Sequence, residues 1–123
     1  MARDPMADVR DAPLFIVPRV LDGLRAYRDG PKLAALPGVN PSPERERLAV
    51  ALDDLANRLL AGVEGHPTRF WVLKQFQEVL ELVQKEDAVA REHFGTELDR
   101  LLDILGIEDS GGVVAYYLTR PGA

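Results

Sequence analysis

The chain has no cysteine, which removes disulfide staples, thiolate metal ligands and cysteine nucleophiles together and suits a reducing compartment. Long apolar runs are missing too. The nearest approach, PLFIVP at residues 13–18, falls far short of the roughly 18 apolar residues of a membrane span. The first residues, MARDPMADVRDAP, mix both charge signs where a secretory leader needs an apolar core. The expected location is therefore the cytoplasm. Basic charge is scarce as well: 15 lysines and arginines stand against 20 acids, a formal net charge of −5. Nucleic acid and anionic lipid recruit basic surfaces, so neither nucleic acid nor membrane is an expected partner, whereas a basic protein is.

What remains is the composition of a folded chain. At 123 residues, 46% apolar and 28% charged, it is long enough to bury one core without staples. Residues 1–11 lack apolar periodicity and are expected to be a flexible N-terminus, with a single helical domain over 12–123.

The apolar spacing is helical throughout. Val17, Leu21 and Leu24 predict a helix from about Pro18 to Tyr27, stopped by Gly30-Pro31. PKLAALPGVNPSP follows, with four prolines, and reads as a long loop with room for one turn at 32–36. Ser42-Pro43-Glu44 is a helix start, after which Leu48, Leu52, Leu55, Leu59 and Val63 recur three or four apart. A third helix is predicted from Pro67-Thr68 to Lys85, with Phe70, Leu73, Phe76, Leu80 and Val83 inward and Trp71, Val79 and Leu82 widening the stripe. A fourth runs from Asp87 to Leu105 with Phe94, Leu98, Leu101, Leu102 and Leu105 inward; Gly95 is a weak point, costing ~1 kcal/mol against alanine. Gly106 suits a left-handed cap with Ile107 folding back on the helix. A short last helix ends before Pro121, its VVAYYL segment being the one stretch that also suits a strand. The predicted fold is all-α: four main helices plus a short C-terminal one, with the proline-rich loop between the first two.

One stretch resembles chemistry. Residues 109–112, DSGG, surround the nucleophile in trypsin-like proteases, but Glu108 stands where that motif has glycine and Val113 where it has proline, and the flanks are helical. The same letters suit punctuation: Asp109 or Ser110 to cap a helix, glycines to reverse the chain. A phosphate cradle there meets the negative charge of Glu108 and Asp109 and has no following lysine.

His93 and Glu97, four apart on one helix, are the next candidates, with Asp99 and Asp103 a similar pair. A zinc site needs a third ligand and HExxH is absent. The plain reading of both is a polar helix surface. His66 reads as a boundary residue before the third helix, and Glu78 and Glu81 as solvated carboxylates. No catalytic, cofactor-binding or metal residue is assigned.

FWVLKQFQEVLELV and LDRLLDILGIEDSGG resemble a family of small bacterial all-helical proteins with W-x-L-K-x-F and D-I-L-G-I-E-(S/D)-S segments. Here these fall on Trp71, Leu73, Lys74 and Phe76, then on Asp103 to Glu108, with Asp109 where serine is common. The resemblance covers about the last sixty residues. It implies a helical domain and a bacterial origin and brings no catalytic residue.

The charge is concentrated. Residues 85–109 hold eight acids and three bases, a net of −5 equal to that of the whole chain. The expected function is a non-catalytic interaction module whose partner-binding residues are Glu92, Glu97, Asp99, Asp103, Glu108 and Asp109; an immunity protein covering a bacterial toxin is its concrete form. The alternatives are a small metal-dependent or hydrolytic enzyme on His93 and Glu97, and a homo-oligomeric module burying the Trp71 face.

Overall fold

Five α-helices and one 3-10 turn carry the chain in a computed structural model that describes residues 5–33, 43–108, 110 and 112–119. The turn is Pro5–Asp8; the helices are α1 (Pro18–Asp29), α2 (Pro43–Gly62), α3 (Arg69–Val83), α4 (Ala88–Leu105) and α5 (Val113–Thr119). Among the described residues there is no strand, only an isolated bridge between Pro13 and Thr68. The all-α bundle is thus observed. Much of the proline-rich loop, 34–42, lies outside the described residues.

Several of the helix boundaries among the described residues have a local reason. Pro18 opens α1 at a first-turn position, where its missing N–H has no partner to lose. Thr68 caps α3 by accepting the Trp71 N–H at 3.2 Å, and Asp87 caps α4 by accepting that of Ala90 at 2.8 Å. At the far end of α4, Gly106 adopts φ 76° and donates to the Asp103 carbonyl while Ile107 donates to that of Leu102. This is the Schellman pair of bonds, and the buried Ile107 completes it.

The leucine stripe of α2 is wholly buried, from Leu48 through Leu52 and Leu55 to Leu59, and Val63, just past the helix, is buried with it. Each such side chain contributes about 1.5–3 kcal/mol. α1 packs on α2 and α4, α3 on α2 and α5, and α5 also on α4. α3 buries Val72, Leu73, Phe76, Val79, Leu80 and Val83, but Leu82, expected on the inner face, is 66% exposed. The neighbours cover one side of that wide stripe, and Leu82 lies beyond them.

Two glycines are set by proximity. A Cβ at Gly95 would lie 2.6 Å from Leu118 Cδ1, so the apparent weak point in α4 is where a side chain of α5 sits against the helix. At Gly62 a Cβ would overlap the Trp71 ring, which also stacks on His66 with centroids 5.5 Å apart. The Trp71 face is therefore used within the fold.

The N-terminal segment is tied to the start of α3. Leu14 N–H donates to the Pro67 carbonyl at 2.7 Å, Arg69 N–H to that of Ala12 at 2.9 Å, and Phe70 N–H to the Asp11 carboxylate at 2.9 Å. The last two satisfy N–H groups that a helix start leaves open. Within residues 1–11, which carry no periodicity to predict it, the Pro5–Asp8 turn packs on α3 and α5 with Met6 buried.

Candidate protein-binding surface

The acids of α4 divide by helical phase. Glu92, Thr96, Asp99 and Asp103 recur at spacings of four, three and four, and all four are exposed. Among the described residues, none of the three carboxylates on this face takes part in an ion pair or a side-chain hydrogen bond. Glu92 and Asp99 together line a groove of about 390 Å³ between α4 and α5, floored by Gly95, Val114 and Leu118. Asp103 continues the same face one turn on. Glu108, though exposed, lies beyond the Gly106 cap and lines a separate groove with Leu14, Arg69 and Ile107. Asp109 lies outside the described residues.

Glu97 does not belong to this surface. It is 7% exposed and points inward, where Oε1 accepts the Tyr27 hydroxyl at 3.0 Å and the Arg100 guanidinium at 2.9 Å. Oε2 accepts the Leu33 N–H, also at 3.0 Å. The expectation that Glu97 meets a partner is corrected by its phase: three residues after Phe94 and four before Leu101, it shares the buried face. A carboxylate there stays buried only because donors satisfy it.

The network around Glu97 joins three parts of the chain. Tyr27 comes from α1, Leu33 from the segment after it, and Glu97 and Arg100 from α4. Leu33 has φ 58°, a left-handed conformation unfavourable for a leucine, and is held there by burial of its side chain and by its bond to Glu97. Two cations lie over the Tyr27 ring: Lys32 Nζ at 5.0 Å and Arg100 Cζ at 5.1 Å from its centroid. Lys32 is itself spoken for, donating to the Arg28 and Gly30 carbonyls at 2.6 and 2.9 Å and pairing with Asp53 at 2.8 Å. Burial, and then the negative charge and hydrogen bond of Glu97, raise the Tyr27 hydroxyl far above the usual phenol range, against an opposing pull from Arg100.

This arrangement bears on the alternatives. Both oxygens of Glu97 already serve the fold, which removes the carboxylate that a site on His93 and Glu97 needs. Among the described residues no group of three or more histidines and acids could hold a metal ion. Ser110 is buried, and its Oγ accepts the Val114 N–H at 3.1 Å, the role of a helix cap. VVAYYL is helical, burying Val113 and Tyr117 four apart. Glu78 pairs with Arg58 at 2.5 Å. Among the described residues no helix is long and apolar enough to cross a membrane.

No protein-family model matches the chain, and no curated protein or solved structure matches it either.

Proposed function

We propose that the chain is a non-catalytic protein-interaction module that offers the exposed face of α4 to a basic protein. One observation carries this reading: Glu92, Asp99 and Asp103 share a face, are exposed, and their carboxylates make no ion pair or side-chain hydrogen bond among the described residues. Carboxylates left unpaired on one stripe raise the association rate of a positively charged partner more than they raise its affinity. The groove beside Glu92 and Asp99 adds an apolar floor for the stem of a long basic side chain. An immunity protein that covers a toxin's basic active site from the cytoplasm is the concrete form we favour. The net charge of −5 supports it, as does the resemblance of the last sixty residues to small bacterial helical proteins.

The test is a pull-down from the source organism's lysate at low and high salt, followed by binding kinetics with the retained protein. Glu92, Asp99 and Asp103 are reversed to lysine together. Glu97 is left intact, because a lysine there would bury a cation where Tyr27 and Leu33 need an acceptor. The triple variant is expected to associate more slowly, with the difference shrinking as salt rises. A folded triple variant that binds as fast as the unaltered chain overturns the proposal.

A further inference from the structure

A second surface, on other helices, has a different character. Between α2 and α3 runs a groove of about 280 Å³, floored by Leu48, Ala51 and Val83 and bordered by Val50 and Leu82. Val50 is 58% and Leu82 66% exposed, two of the sizeable apolar side chains left in solvent among the described residues. Apolar exposure of this kind, gathered in one place and rimmed by charge, marks a contact surface.

The rim has a symmetry of its own. Arg47 and Asp54 line the same groove, seven residues apart on one face of α2 and so about 10.5 Å apart along the axis. The midpoint between them falls between Val50 and Ala51. Asp54 is exposed, with no ion pair among the described residues, and Arg47, which reaches Glu86 at 2.5 Å, keeps its side chain 60% exposed.

We infer that this groove binds a second copy of the chain, α2 against α2 in antiparallel fashion, about a two-fold axis between Val50 and Ala51. A two-fold contact must be complementary to itself. The antiparallel arrangement meets that condition twice over: Arg47 of each copy faces Asp54 of the other, and Val50 faces Ala51, whose small side chain lets the helices approach. Leu82 of each copy is then covered by the apolar strip of the other. A parallel arrangement would set arginine against arginine and aspartate against aspartate. The acidic face of α4 takes no part, so this contact stands or falls apart from the proposed partner.

Sedimentation equilibrium on the full chain, with and without charge changes, tests the inference. The unaltered chain is expected to approach twice its 13.6 kDa mass as concentration rises. Asp54→Arg alone and Arg47→Asp alone each set like charges across the axis twice, and each should raise the dissociation constant about tenfold or more. Mixed in equal amounts they restore two opposite pairs, so the mixture should dimerise where neither variant does alone. Leu82→Glu, a change at an exposed position, should also give monomer with its helical circular dichroism intact. A chain that stays monomeric at every concentration overturns the inference. So does a dimer indifferent to Asp54→Arg, or a mixture no more associated than its parts.

Discussion

The Tyr27 hydroxyl donates to Glu97 at 3.0 Å across seventy residues of sequence. With the Leu33 N–H on the other oxygen, this bond fastens α1 and the segment after it to α4. Packing alone would let α1 slide on α4, since apolar contact is not directional. A buried carboxylate with donors from two other segments fixes one register.

Removing that carboxylate should therefore be expensive. Glu97→Ala strands the Tyr27 hydroxyl and the Leu33 N–H, both buried, and is expected to lower stability by about 2–4 kcal/mol. Glu97→Gln keeps one acceptor and should lose roughly half as much. Arg100, with its side chain 52% exposed, returns to water in either variant. Urea denaturation reads the difference. A Glu97→Ala midpoint equal to that of the unaltered chain would show that the network contributes nothing.

Tyr27 makes the fold sensitive to alkali. In the unfolded chain its hydroxyl ionises near pH 10; in the folded chain burial, and then Glu97, hold it well above that. Above about pH 10 the unfolded chain releases a proton that the folded chain keeps, so stability falls as pH rises. The contribution is fully present below that point. Urea midpoints from about pH 9 to about pH 11 should fall more steeply for the unaltered chain than for Tyr27→Phe. Equal slopes would mean that the hydroxyl ionises as freely folded as unfolded.

The helices were legible in the sequence because their signals are local. The spacing of Leu48, Leu52, Leu55, Leu59 and Val63 depends only on the turn of a helix, and Gly106 with Ile107 states its cap within two residues. The exposure of Glu92, Asp99 and Asp103 follows from the same arithmetic. The role of Glu97 had one local sign, its inward phase between Phe94 and Leu101, but its partners lie 64 and 70 residues away. Those donors meet it only because α1 packs on α4. Leu82 was misplaced for a related reason: periodicity locates an apolar stripe, and the neighbouring helices decide how much of it is covered.

Gly106 isolates backbone conformation from packing. Its φ is 76°, and a Cβ there would meet nothing within 4 Å. Gly106→Ala should accordingly lower stability by about 1 kcal/mol through the left-handed conformation alone. Gly106→Asn, whose side chain tolerates that region, should lose less. Denaturation midpoints in the order glycine, asparagine, alanine are expected. An alanine variant as stable as the original would mean that the end of α4 relaxes to another cap.

Gly95 presents the opposite case, a helical glycine with a neighbour too close. In an open helix Gly95→Ala should gain about 1 kcal/mol, because alanine loses less backbone entropy on folding. Here the new methyl would lie 2.6 Å from Leu118 Cδ1, so α5 or the leucine must give way and the gain is offset. In a Leu118→Ala background the obstruction is gone, and the same substitution should stabilise. A double-mutant cycle measures the coupling directly; because the obstructing atom is the tip of a flexible, half-buried leucine, an interaction of about 0.5 to 1 kcal/mol is expected between the two positions. Simple additivity of the two changes would show that α5 accommodates the methyl freely and that something other than proximity keeps a glycine in α4.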